Sequence, residues 1–104
     1  MANENPPIKN TAWSCIICLT DYTDPGSFKV NPTLAAGDFK ISIDDAALTT
    51  DYITVSVDPA STASVQVELT ADGMNGDTIL ILGVDQTSPK EWCDFALCIL
   101  TTAS

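Results

Sequence analysis

Residues 64–85 constrain the fold of this chain more than any other stretch. They read Ser-Val-Gln-Val-Glu-Leu-Thr, then Ala-Asp-Gly-Met-Asn-Gly, then Asp-Thr-Ile-Leu-Ile-Leu-Gly-Val-Asp. In the first part Val65, Val67 and Leu69 alternate with Gln66, Glu68 and Thr70. Successive strand residues point to opposite faces, so this is a strand with one wet face. The last part is apolar at both parities, with Ile79 and Ile81 on one side and Leu80, Leu82 and Val84 on the other. Such a strand is expected to be covered on both faces. A two-layer sandwich covers one of them, so the second calls for a loop, a terminal strand or another subunit. Between the strands lies a tight connector. Thr70 is placed to cap one helical turn there, and Met74 to drop into the core.

The rest of the chain repeats the pattern. Trp13, Cys15, Ile17 and Leu19 share one face of a strand over 12–20, with Ile16 and Cys18 on the other. Phe39, Ile41 and Ile43 alternate with polar residues, as do Ile53, Val55 and Val57. Over 91–101, Cys93, Phe95, Leu97 and Ile99 oppose Trp92, Ala96, Cys98 and Leu100. Residues 28–30 make a further short strand, stopped by Asn31-Pro32 because proline cannot donate to a ladder. Asp24-Pro25-Gly26 and Asp58-Pro59 are turn chemistry. Turn signals about every 8–12 residues between some seven short strands predict an all-β fold, an antiparallel β-sandwich of immunoglobulin-like type. That domain is expected over residues 12–104. Residues 1–11, rich in Asn and carrying Pro6-Pro7, predict an extended N-terminal arm. Pro6, Pro7 and Ile8 are its candidate contacts with a neighbouring subunit.

Composition narrows the function. At 104 residues the chain is one domain. Fourteen acidic residues against four lysines, with neither Arg nor His, give a net charge of −10. Affinity for phosphates needs clustered Lys and Arg, so neither nucleic acid nor an anionic membrane is an expected partner. The longest apolar runs are a few residues, far short of a membrane span. The N-terminal residues lack the basic and apolar regions of a signal peptide. Folding in a cytoplasm, with cysteines reduced, is therefore expected.

Little in the sequence points to chemistry. The commonest general base is missing with His, and no nucleophile is paired with a base. No catalytic residue and no cofactor is assigned, and the chain is not expected to be an enzyme. Cys15-Ile-Ile-Cys18 has C-x-x-C spacing, but a strand sends those side chains to opposite faces, where they cannot share a metal. Cys15, Cys18, Cys93 and Cys98 read as buried thiols or as disulfide partners, within or between chains, if the first and last strands are neighbours. Asp72, Asn75 and Asp77 place oxygen ligands close together and loosely resemble a calcium loop, without its length or closing Glu; a solvated turn is the plainer reading. Tyr22, Tyr52, Trp13 and Trp92 could form a sugar-binding surface if exposed, although both tryptophans lie in apolar strands and read as core or interface.

Several short motifs occur in order: Asn31-Pro-Thr-Leu-Ala-Ala-Gly-Asp-Phe-Lys40, Val65-Gln-Val-Glu-Leu-Thr, Met74-Asn75, and Glu91-Trp92 with Asp94. Together they resemble a small β-sandwich family of tailed-bacteriophage virion proteins. In that family a Gly-Asp-Phe-Lys strand precedes an alternating strand and a helical turn ending in Glu-Met-Asn, and a Glu-Trp-x-Asp strand closes the domain. Gly73 departs from the pattern where Glu is usual. The resemblance implies a virion location after synthesis in the host cytoplasm. It implies a capsid decoration (cement) protein bound to the major capsid protein and to copies of itself, as dimer or trimer. The alternative is a tail-tip or fibre module that binds a host-surface glycan or receptor.

Overall fold

The computed structural model describes residues 6–103. Six strands form: β1 (Trp13–Ile17), β2 (Phe39–Ile43), β3 (Ile53–Val57), β4 (Val65–Leu69), β5 (Thr78–Gly83) and β6 (Phe95–Leu100). They pair antiparallel into two three-stranded sheets, β1-β4-β3 and β2-β5-β6. In the immunoglobulin plan the second, fifth and fourth strands make one sheet and the third, sixth and seventh the other. β1 to β6 take those second-to-seventh places in order. Among the described residues no strand takes the first place; Ile8 forms an isolated parallel bridge to Thr102 beyond the end of β6. The all-β sandwich expected from the alternation is the fold observed.

The core follows from parity. Val65, Val67 and Leu69 of β4 face Ile79 and Ile81 of β5, all five at most 2% exposed. Fully burying each such side chain contributes roughly 1.5–3 kcal/mol. β5 places Gly83 at its third inward position, and the Phe39 ring occupies the space a side chain would need: a Cβ there would lie 2.6 Å from Phe39 Cε2. Phe39 in turn stacks on Trp92, with centroids 5.3 Å apart.

The connector between β4 and β5 forms one 3₁₀ turn, Asp72–Met74. The Thr70 hydroxyl accepts the Gly73 N–H at 3.2 Å, and Met74 is fully buried, as its sequence position suggested. Glycine is required at 73 here, because a Cβ would meet Tyr52 Cβ at 2.7 Å.

Three expectations change. Residues 28–30 do not form a strand; Phe28 makes a single bridge to Thr20. The last strand starts at Phe95 rather than 91, and the irregular residues before it reset the alternation. Trp92 consequently turns into the core, while Ala96, Cys98 and Leu100 face out. Third, the outer side of β5 is covered only in part: Leu80 and Leu82 are half-buried, whereas Ile79 and Ile81 on the inner side are fully buried.

Candidate functional site

The 31–38 and 85–92 segments meet at one corner of the sandwich, and their hydrogen bonds say what their side chains do. The Glu91 carboxylate accepts the Thr33 N–H at 3.0 Å and the Thr33 hydroxyl at 2.8 Å. Trp92 Nε1 donates to the Thr33 carbonyl at 3.2 Å. Asp38, 2% exposed, accepts the Ala35 and Gln86 N–H groups at 2.9 and 3.1 Å. Asp85, 3% exposed, accepts those of Thr87, Glu91 and Trp92 at 2.9, 2.7 and 3.3 Å. Burial pushes the Asp85 carboxyl up, but the N–H groups of Glu91, Thr87 and Trp92 and the Thr87 side chain outweigh it and leave it below its ordinary value. Asp85, held ionised by these donors, has no proton to give and spends both oxygens on the backbone. These acids pin the 31–35 and 85–92 loops to each other. Sequence reading passed over Asp38 and Asp85; the signal was local, since Asp85 and Thr87 have the spacing of an Asx turn.

The other candidate residues lie apart. Cys15, Cys18 and Cys93 are half-buried, Cys98 is exposed, and none is disulfide-bonded within the chain. Cys18 Sγ lies 4.0 Å from Ser64 Oγ, and Cys93 Sγ points at the Asp21 carbonyl at 3.9 Å. Burial raises the Cys15 thiol above its ordinary value, which keeps it protonated. At the candidate cation loop, Asp72 opens the 3₁₀ turn and Asp77 is ion-paired with Lys9 Nζ at 2.6 Å. Among the described residues no cluster of three His, Cys, Asp or Glu side chains could hold a metal. Of the expected arm, residues 6–11 are described and lie against their own domain. Thr102 N–H donates to the Pro7 carbonyl at 2.8 Å, Lys9 N–H to the Thr102 carbonyl at 2.9 Å, and Asn10 N–H to the Met74 carbonyl at 2.9 Å. Pro6 is exposed, while Pro7 and Ile8 are half-buried; residues 1–5 lie outside the described part. Trp92 is buried and Trp13 half-buried, whereas Tyr22 and Tyr52 are exposed.

One surface open to a partner is the outer face of the β2-β5-β6 sheet. Its outward positions are Lys40, Ser42, Thr78, Leu80, Leu82, Ala96, Cys98 and Leu100. Leu80 sits beside Cys98 and Leu82 beside Ala96, so the apolar side chains form one patch. Leu100 at its end is 68% exposed. Ser42 is tucked away, its hydroxyl donating to the Ala46 carbonyl at 2.6 Å. No carboxylate occupies any of the eight positions, although the chain has fourteen. The outer face of β1-β4-β3 is different: it carries Ser14, Gln66, Glu68, Thr54 and Ser56, with Ile16 alone apolar.

The chain matches no family model, no curated protein and no solved structure.

Proposed function

We propose that this protein acts by surface contact, as a virion structural protein that decorates and stabilises a phage head shell. The observation that carries the reading is the outer face of β2-β5-β6, apolar at its centre and free of acid, with Lys40 its one charged position. On a molecule of net charge −10 an apolar patch free of acid is where close approach to another protein costs least. β5 is apolar on both sides, and the fold buries the inner one fully and the outer one only in part. A shell subunit, or a second copy standing beside it on the shell, is the cover this reading supplies. The motif resemblance is the reason to read the shell as a phage head.

Immunogold labelling or cryo-EM of purified particles tests this. The expected result is density at regular positions on the head, lost when the gene is deleted. Absence of the protein from purified particles would refute it. A second reading, glycan or receptor binding from a tail tip, is favoured by Tyr22 and Phe28, 52% and 59% exposed, with Lys90 Nζ 5.8 Å from the Tyr22 ring centroid. Tail-tip labelling with a reproducible glycan-array hit would select it.

A further inference from the structure

β3 is a bare edge of the sandwich. It reads Ile-Thr-Val-Ser-Val, rich in β-branched residues and with none of the lysines, prolines or bulges that normally protect an edge. Among the described residues it pairs with β4 alone. Two flanking hydrogen bonds set the phase of that ladder: Thr70 N–H to the Tyr52 carbonyl at 3.0 Å, and Asp58 N–H to the Ser64 carbonyl at 2.9 Å. Bonded and non-bonded pairs alternate in an antiparallel ladder. Thr54–Glu68 and Ser56–Gln66 are thus the bonded pairs, and Ile53, Val55 and Val57 turn their backbone N–H and C=O groups outward, away from β4. Two other edges are guarded. Ile41 of β2 exchanges two hydrogen bonds with Thr49, both 2.9 Å. β6 is bracketed by Ile8 at Thr102 and Asp21 at Trp92.

Beside the bare edge lies a cleft of about 350 Å³, lined by Leu34, Gly37, Phe39, Thr50, Ile53 and Val55 among others. No residue of β4 lines it, so it opens on the free side of β3. Asp51 stands two residues before β3 and Asp58 directly after it. Two copies pairing antiparallel through β3 would bring Asp51 of each close to Asp58 of the other, which opposes self-association there.

We infer that the β3 edge is a docking site for an extended segment of another protein, added as a fourth strand to the β1-β4-β3 sheet. The segment carries an apolar side chain that enters the cleft and basic residues that meet Asp51 and Asp58. Main-chain hydrogen bonds to Ile53, Val55 and Val57 hold it, and the cleft and the two carboxylates select it. This does not depend on the partner being a shell protein.

The test uses the full chain and a synthetic probe, acetyl-Lys-Val-Thr-Phe-Thr-Val-Lys-amide, with a counterpart in which both lysines are glutamate. Saturable binding is expected, at least about tenfold weaker for the glutamate peptide, with amide exchange slowed at Ile53, Val55 and Val57 but unchanged at Thr54 and Ser56. Val55→Pro removes an outward N–H without touching the β4 ladder, and is expected to weaken binding at least about tenfold. Asp51→Lys, on the surface, reads the charge selection independently should the proline variant unfold. Four results would overturn the proposal: no binding of the lysine peptide, equal binding of both peptides, slowed exchange confined to other strands, or a β3-protected dimer of the free protein in sedimentation.

Discussion

β4 and β5 hold the same place, the centre of a three-stranded sheet, and differ on their outer sides. Inward, each presents apolar residues to the same core. Outward, β4 shows Gln66 and Glu68, while β5 shows Thr78, Leu80 and Leu82. Packing against the opposite sheet dictates the inner face, and it dictates it alike for both strands. The outer face answers to whatever lies beyond the sheet, and there the two strands part: β4 is polar and β5 apolar.

The largest effects should come from breaking the side on which the strands agree. Leu69→Ala and Ile81→Ala each empty a position at most 2% exposed, one from each sheet. Both are expected to cost about 2–5 kcal/mol in urea unfolding. A loss from one sheet several times that from the other would mean that the two strands do not share one core. Gly83→Ala probes the one inward position where β5 departs from β4. Its Cβ would push against the Phe39 ring, itself stacked on Trp92, and a loss of about 1–3 kcal/mol is expected.

The exits of the two strands differ too. β4 leads into a turn held by the neutral Thr70 hydroxyl, and β5 into a loop held by the Asp85 carboxylate. Asp85→Asn should cost about 1–3 kcal/mol near neutral pH, because buried N–H groups lose an ionised acceptor. The folded carboxyl lies below its ordinary value, so its contribution is complete above about pH 4, the unfolded value. It disappears as pH falls through the lower folded value. Unfolding followed from pH 7 down to pH 2 should therefore decline less steeply in Asp85→Asn than in the parent. Thr70→Ala should cost about 1 kcal/mol at every pH; a pH-dependent Thr70→Ala loss would erase the contrast.

Much of this was legible in the sequence, because alternation is a local signal. β2 to β5 lie where Phe39, Ile53, Val65 and Ile79 begin their alternating runs, and the Thr70 and Met74 roles follow from spacing alone. What was not legible depends on partners distant in sequence. Residues 91–94 alternate as if they continued β6, yet Trp92 is drawn inward by Phe39 and by the Thr33 carbonyl, some 60 positions away. The polar segment before β1 gives no sign that Pro7 and Lys9 bond to Thr102. The cleft beside β3 depends on where the 34–37 segment passes, which no periodicity encodes. The patch is the instructive case. Apolar residues at both parities of β5 mark a strand with two apolar sides, and the pattern of a single chain cannot say what, if anything, packs on the outer one.

The smallest effect on stability should accompany the largest effect on contact. Leu100, at the end of the patch, and Ile16, on the opposite sheet, are exposed to similar extents, 68% and 60%. Leu100→Asp and Ile16→Asp should each shift unfolding by no more than about 1 kcal/mol, since neither side chain is in the core. Only Leu100→Asp places a carboxylate on the face that carries none. If that face is the contact surface, Leu100→Asp lowers occupancy on particles and Ile16→Asp does not, because an added charge must be desolvated or repelled only where a partner sits. Equal occupancy of both variants would mean that the difference between the outer faces of β4 and β5 has no part in attachment. Loss in both would move the contact to a surface that includes β1.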